Sequence, residues 1–461
     1  MTTLKILKYI PKKELFPFVG HTLVVGKSGS GKSNSCETIV AGVYNKYNIP
    51  EKSKKRVKIY DIFDNGRLEN AMWGIAEDDK NLIKMIKLRS AGQLEPTAYE
   101  TDYYLICGNN LKWKNILPKN IKIASFDSQS LTIDDIFYLL GTTEPSKALL
   151  SSIAISHPNM NLKQLYNFLL FTNIRGQATA TRDMLLYRIR QWFYSGMFSD
   201  NGVKLNFQEL NQDYKKITCF STYLLDAEYE GIAYGLILKG IFAAKKKNDA
   251  MAQKERIEGK KSLSPEVLVY YREISAVLSR SIHYSFKLCR KQVETILRQG
   301  RDFGLDLLAD TQRALDCDPW ARSQFGTVVQ LRSDFKDAET LLQVMGEVPK
   351  RYLYKIPKLE VGSGLVATGG VWEYPIHFPP SPIRHKRARS DAWAFLGDKY
   401  GYTIYEPDDY LKISGLMKKE EPKEEEEKPK KEHKHTWRVR TKTKDKICVA
   451  CGFVEKKQNK S

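Results

Sequence analysis

The chain has 461 residues, 42% apolar and 28% charged, enough to build a large buried core and typical of a globular protein. No apolar run reaches the roughly 20 residues of a membrane-spanning helix. The formal net charge of +20 makes a polyanion (nucleic acid, anionic lipid or an acidic protein) the expected partner.

In chain order, the N-terminus lacks the long apolar region and cleavage site of a signal peptide, so the expected location is the cytoplasm in which the chain is made. From residue 19 short apolar runs alternate with longer amphipathic ones, the rhythm of an α/β fold. "HTLVV" (21–25) reads as a strand and "NSCETIVAGVYNKY" after it as a helix. "RVKIYDIFD" (56–64), "YYLIC" (103–107) and "IKIASF" (121–126) read as further strands. Residues 130–200 carry apolar side chains at helical spacing and are expected to form a helical insertion. Strands resume with "KKITCFST" (215–222), followed by a helix from about Ala227 into Lys245–Lys247. "PEVLVYY" (265–271), a helix, "LDLLADTQR" (305–313) and "GTVVQLRSD" (326–334) come next, and 362–379 reads as a hairpin. Cys36, Cys107, Cys219, Cys289 and Cys317 have no disulfide-framework spacing and are expected to be reduced core residues.

"GKSGSGKS" (26–33) fits G-x-x-x-x-G-K-[ST] completely and lies between strand and helix, the context the motif requires. The loop Gly26, Lys27, Ser28, Gly29, Ser30, Gly31, Lys32 and Ser33 is expected to hold ATP. Its glycines turn backbone N–H groups toward phosphate, and the helix N-terminus adds partial positive charge. Lys32 would reach the β- and γ-phosphates, and Ser33 would offer its hydroxyl to Mg²⁺.

Hydrolysis needs a carboxylate at the tip of a second strand, and "PEVLVYYRE" supplies Glu273. In most P-loop motors with an additional strand this position reads Asp-Glu; here Arg272 replaces the Asp. Glu273 is expected to be the catalytic base, with metal support falling on Ser33, water and the phosphates. The alternative is that Arg272 and Glu273 simply open a helix. Gln312, at the end of the next apolar strand, could sense the γ-phosphate. Arg298 and Arg301 in "LRQGRDFG" could complete a neighbouring subunit's site or merely form surface ion pairs.

With these pieces in order the chain resembles the HerA/FtsK superfamily of DNA-pumping ATPases, in particular the HerA-like branch with viral packaging and conjugation motors. The likeness covers about residues 19–380. It rests on "HTLVVGKSGSGKS", "VLVYYREIS" and, most specifically, "ILRQGRDFGLDLLADTQRALD". It implies a RecA-like P-loop core, mainly a parallel sheet flanked by helices, assembled as a homohexamer around duplex DNA without sequence preference. It further implies that Lys32 and Ser33 bind phosphate and metal, Glu273 activates water, Gln312 senses phosphate, and Arg298 or Arg301 acts in trans. Asp61 or Asp64, where relatives carry an acidic residue after the second strand, would partly substitute for the absent Asp. The basic segments 245–261 and 384–390 could then line the channel.

Residues 418–432, "KKEEPKEEEEKPKKE", have no apolar side chain and are expected to be a disordered linker. In the tail, His433, His435, Cys448 and Cys451 give H-x-H-x12-C-x2-C, a donor set that suits tetrahedral Zn²⁺; the other reading is an unstructured basic tail with two free thiols. A folded tail would dock DNA or a partner protein.

The expected organisation is a segment 1–18, a first part of the ATPase core at 19–129, the helical insertion at 130–200, a second part at 201–417, the linker at 418–432 and the zinc-ribbon-like tail at 433–461. The short stretch before the P-loop, without the β-barrel usual in host relatives or the anchor usual in coupling proteins, favours a packaging or mobile-element motor. A host motor in DNA end processing, a nucleotide-dependent scaffold with weak ATPase and a small-molecule kinase are the alternatives.

Overall fold

The computed structural model describes residues 20–49, 55–63, 73, 76–90, 92–106, 111–113, 116–117, 119–141, 143–172, 178–198, 205–222, 225–345, 353–368, 371–383, 402–404, 437–439, 446–448 and 454–455. The first elements are β1 (Thr22–Val25), α1 (Lys32–Tyr47), β2 (Val57–Phe63), α2 (Lys80–Arg89), β3 (Thr101–Ile106), β4 (Leu111–Trp113) and β5 (Ile121–Ala124). A helical block follows: α3 (Ile133–Leu140), α4 (Glu144–Ser156), α5 (Leu162–Phe171), α6 (Ala178–Tyr194) and α7 (Phe207–Gln212). Next come β6 (Ile217–Ser221), α8 (Ala227–Ile257), β7 (Glu266–Tyr271), α9 (Ser275–Leu278), α10 (Lys287–Gln299) and β8 (Leu305–Thr311). After these lie α11 (Pro319–Ser323), β9 (Thr327–Leu331), α12 (Phe335–Met345), β10 (Ser363–Thr368) and β11 (Val371–His377). The remaining strands are β12 (Tyr402–Ile404), β13 (Trp437–Val439), β14 (Lys446–Cys448) and β15 (Val454–Glu455).

Ten strands form one sheet in the order β11-β10-β9-β1-β8-β7-β2-β6-β3-β5. From β9 to β5 all neighbours are parallel, and the β10–β11 hairpin continues the sheet antiparallel. Parallel strands must be covered on both faces, which explains their near-continuous apolar runs. Alternation then divides the side chains: Leu23 and Val25 join one core cluster with α8 and α10, while Val24 joins the other with Cys36, Ile39 and Val40 of α1. β8 lies between β1 and β7, the arrangement of a RecA-like P-loop core in which one strand separates the P-loop strand from the carboxylate strand.

The apolar residues of α3–α6, among them Ile136, Leu150, Leu165 and Ile189, belong to the same cluster as the sheet face under α8. Local sequence starts these helices. Thr132–Asp135, Thr143–Ser146 and Asn161–Gln164 are reciprocal capping pairs that satisfy the first N–H groups of α3, α4 and α5. Lys239 of α8 pairs with Asp135 of α3, tying the block to the core.

The run 231–247 is part of a core helix as expected, and among the described residues no helix is long and apolar enough to cross a membrane. Cys36, Cys219, Cys289 and Cys317 are buried free thiols, in line with the sequence; Cys107 lies outside the described residues. In the tail β13, β14 and β15 form a three-stranded antiparallel sheet. His433, His435 and Cys451 lie outside the described residues, as do the linker 418–432 and the basic segment 384–390. Among the described residues there is no group of three or more His, Cys, Asp or Glu side chains that could hold a metal.

Candidate nucleotide site

The turn between β1 and α1 is built by backbone geometry. Gly29 and Gly31 take positive φ, 74° and 97°, and a Cβ on Gly31 would lie 3.0 Å from the Gly362 nitrogen. Only glycine meets both demands without strain. Neighbouring strands fasten the loop: Gly26 N–H donates to Thr311 O (3.2 Å), Lys27 N–H to Arg332 O (2.9 Å), and Gly362 N–H to Ser30 O (2.9 Å). The Arg332 guanidinium donates to Gly29 O at 3.1 Å. No side chain caps the N-terminus of α1, so its first N–H groups are left for an anion. Lys32 Nζ donates to Gly26 O at 2.7 Å, folded back over the loop, and the Ser33 hydroxyl is exposed in the first helical turn. Lys27 and Ser28 are exposed, Lys27 3.9 Å from Asp334, whereas Ser30 is buried.

Glu273 follows β7 at the same edge of the sheet. Its Oε1 accepts from Ser275 Oγ (2.7 Å) and from Gln312 N–H (3.1 Å), with Thr311 Oγ1 at 3.4 Å. Thr311 thus touches both the P-loop, through its carbonyl and Gly26, and the Glu273 carboxylate. Glu273 has φ 52°, unique among the described non-glycine residues. A left-handed backbone at a carboxylate residue is costly and persists only where neighbours enforce it. The helix-opening alternative is not what the fold adopts: α9 starts two residues later, at Ser275.

Arg272 corrects one sequence expectation. Its Nε and terminal nitrogen donate to Asp61 Oδ1 (3.2 Å) and Oδ2 (3.0 Å), and the same nitrogen is 3.6 Å from Glu37 Oε1 in α1. Trp73 Nε1 also donates to Asp61 Oδ2, at 2.9 Å. Asp61 is fully buried and both of its oxygens are occupied, so it does not stand in for the missing metal-site carboxylate; Asp64 lies outside the described residues. Burial disfavours the Arg272 charge, but Asp61, Tyr270 and Glu37 outweigh it and hold its pKa well above the usual value.

Asp310 is the residue that sequence reading missed. It sits at 4% exposure in β8, and Oδ1 accepts the Glu273 N–H at 2.9 Å. Oδ2 accepts from Tyr270 Oη (3.0 Å), with Cys36 Sγ at 4.0 Å. Burial raises its pKa, opposed by the Glu273 N–H, Arg272 and Tyr270. The available signal was an acid inside the apolar run "LDLLADT".

The arginines lie elsewhere. Arg301 is beside Gly20, before β1, and donates to Gln324 O at 3.3 Å. The Arg298 guanidinium stacks 4.5 Å from the Trp320 ring centroid. Both are exposed at the edge where the parallel strands begin, opposite the P-loop of their own chain. In the basic segment 245–261 Lys245 is buried and bonded to Asp249 (2.6 Å) and Ser264 (3.0 Å), which removes it from any surface role. Lys247, Lys254, Arg256, Lys260 and Lys261 remain exposed.

No family model and no curated protein matches the sequence. Among solved structures the chain is similar to VirB4 of Thermoanaerobacter pseudethanolicus, with 13% identity and a TM-score of 0.47 over 78% of this chain and 90% of that one. It is also similar to the bacterial conjugative coupling protein TrwB (14%, 0.43, 81% and 87%). A third is the genome packaging NTPase B204 from Sulfolobus turreted icosahedral virus 2 (10%, 0.33, 78% and 97%). At these scores they are likenesses of chain course, and the role of each residue rests on its own geometry.

Proposed function

We propose that the chain is an ATP-hydrolysing motor of the HerA/FtsK kind that moves duplex DNA, working as a homohexameric ring in packaging or in transfer of a mobile element. The observation that carries this reading is the junction at Thr311, which binds the P-loop at Gly26 and stands against the carboxylate of Glu273. A phosphate cradle and a carboxylate at the tips of strands flanking a common neighbour, here β8, bring together what water attack on a bound triphosphate requires.

Glu273 takes a proton from water as the water oxygen bonds to the γ-phosphorus. The bond from that phosphorus to the β–γ bridging oxygen breaks, its electron pair leaves with ADP, and Glu273 returns the proton to solvent. Lys32 releases Gly26 O and turns to the phosphates. Gln312, whose backbone is already bonded to Glu273, senses the γ-phosphate with its exposed side chain. The hard oxygen donors on hand suit Mg²⁺, which Ser33 would hold together with phosphate oxygens and water, supplying charge neutralisation. Arg298 or Arg301, too far round the sheet for their own site, serve the adjoining subunit. DNA is gripped through its phosphates by exposed lysines and arginines of this basic chain. The tail would dock a partner, and His433, His435, Cys448 and Cys451 are the donors that would hold a structural Zn²⁺ there.

Steady-state ATPase assays with and without duplex DNA test the reading. The motor requires DNA-stimulated turnover that is lost in Lys32→Ala and in Glu273→Gln, with Glu273→Gln still binding ATP. The position of Arg272 favours one other reading, a nucleotide-dependent scaffold, which predicts tight ATP binding with negligible turnover in the unmutated chain.

A further inference from the structure

We infer that Asp310 is the positioning residue of Glu273, setting the direction in which the proposed base points; the inference rests on the hydrolytic reading above. A side chain is aimed by the two backbone torsions of its own residue, and these are fixed when both flanking peptide planes are fixed. Asp310 fixes both. Its Oδ1 accepts the Glu273 N–H at 2.9 Å, pinning the plane before the Glu273 Cα, and its carbonyl accepts the Ile274 N–H at 2.8 Å, pinning the plane after it. Between the two pinned planes Glu273 is forced to φ 52°.

That conformation serves a purpose. Continued as an ordinary strand, β7 would send Glu273 to one face of the sheet by simple alternation. The left-handed turn carries its carboxylate toward the tip of β8, where Ser275, Thr311 and Gln312 receive it next to the P-loop.

Asp310 is itself held firmly. Tyr270 Oη donates to Oδ2 at 3.0 Å, and the residue is 4% exposed, packed beneath α1 near Cys36. An acceptor this rigid can impose a costly torsion on its neighbour, where a solvated side chain would give way. The groups facing it are Cys36 of α1, Tyr270 of β7, Arg272 just beyond that strand, and the amide and carboxylate of Glu273. None belongs to the glycine-rich loop, so changing Asp310 acts on the base rather than on the phosphate cradle.

The test uses the full-length chain with Asp310→Ala, Asp310→Asn and Glu273→Gln, measuring KM, kcat and the Kd for methylanthraniloyl-ATP. Misplacing a catalytic group by about 1 Å costs on the order of 100-fold, so Asp310→Ala should lower kcat about 30- to 100-fold while KM and Kd stay within about 2-fold. Asp310→Asn keeps an oxygen acceptor for the Glu273 N–H and should retain kcat within about 5-fold. A general disturbance of the core would move KM, Kd and kcat together and would not be rescued by Asn; that result overturns the inference. Full turnover in Asp310→Ala with Glu273→Gln inactive overturns the positioning role and leaves hydrolysis by Glu273 standing. Full turnover in Glu273→Gln overturns both. If Asp310→Ala does not fold, Asp310→Asn decides alone: near-normal kcat upholds the role of the acceptor, and loss to the Glu273→Gln level with ATP binding intact overturns it.

Discussion

Arg272 grips the carboxylate of Asp61 with two hydrogen bonds, 3.2 Å and 3.0 Å long, across from one strand to its neighbour and beneath the P-loop helix. Arg272, only 12% exposed, therefore links the end of β7 to β2 and to Glu37 of α1. Removing one member of such a pair leaves a buried charge without compensation, which costs about 3–5 kcal/mol. Arg272→Ala should lower unfolding stability by that amount in urea titrations. The double variant Arg272→Met/Asp61→Leu should lose less than the single one, because no orphaned carboxylate remains at residue 61. Equal losses would mean that an orphaned Asp61 carboxylate is not what the single variant loses stability to.

Gly31 combines φ 97° with a close neighbour at Gly362. Gly31→Ala should weaken ATP affinity at least tenfold while reducing global stability by only about 1–2 kcal/mol, the usual cost of one forced left-handed residue. Isothermal calorimetry alongside thermal unfolding separates the two effects. An unchanged Kd would show that the loop tolerates a Cβ.

Mixing experiments address the arginines. If Arg301 acts on the neighbouring subunit, adding Arg301→Ala chains to Glu273→Gln chains should restore turnover, because mixed rings contain junctions with one intact arginine and one intact glutamate. The same mixture with Arg298→Ala tests the second candidate. Absence of recovery with both, in rings shown to exchange subunits, would rule out action in trans.

His21 gives a signed pH dependence. Its pKa is lowered to about 4 by burial and by the Arg301 charge, against 6.5 for an ordinary histidine. The unfolded chain therefore binds the proton first, and the contribution of His21 to stability is lost as pH falls from about 6.5 toward 4, by at most about 1.4 kcal/mol per pH unit. Asp306, 3.9 Å away, works the other way: burial, and then Glu266, raise its pKa to about 6, so it gains stability over the lower part of the same range. Comparing the urea midpoint of His21→Asn with the unmutated chain between pH 4 and 7 isolates the histidine, since the asparagine oxygen can still accept the Leu307 N–H that now goes to Nδ1 at 3.0 Å. Parallel pH profiles would refute the assignment.

Much of this molecule is written locally. The P-loop could be read from residues 26–33 because a glycine-rich turn between a strand and a helix is a contiguous feature, decided by the torsions of its own residues. The strands of the parallel sheet were legible for the same kind of reason: burial on both faces demands continuous apolar runs, and these show in the composition of each segment. The position of Glu273 could be read too, as a charge ending such a run.

What those charges do could not be read, because each is settled by a partner far away in the chain. Arg272 looked like a gap in a metal site until the fold placed it against Asp61, 211 residues earlier. Asp310 looked like an ordinary strand residue until β8 came to lie beside β7 and its carboxylate met the Glu273 amide, 37 residues back. Sequence alone determined the elements and the phosphate loop, since torsional preference and apolar patterning act over a few neighbouring residues. Tertiary structure alone decided the electrostatics behind the loop, since a buried charge takes its meaning from whichever group the packing brings within about 3 Å.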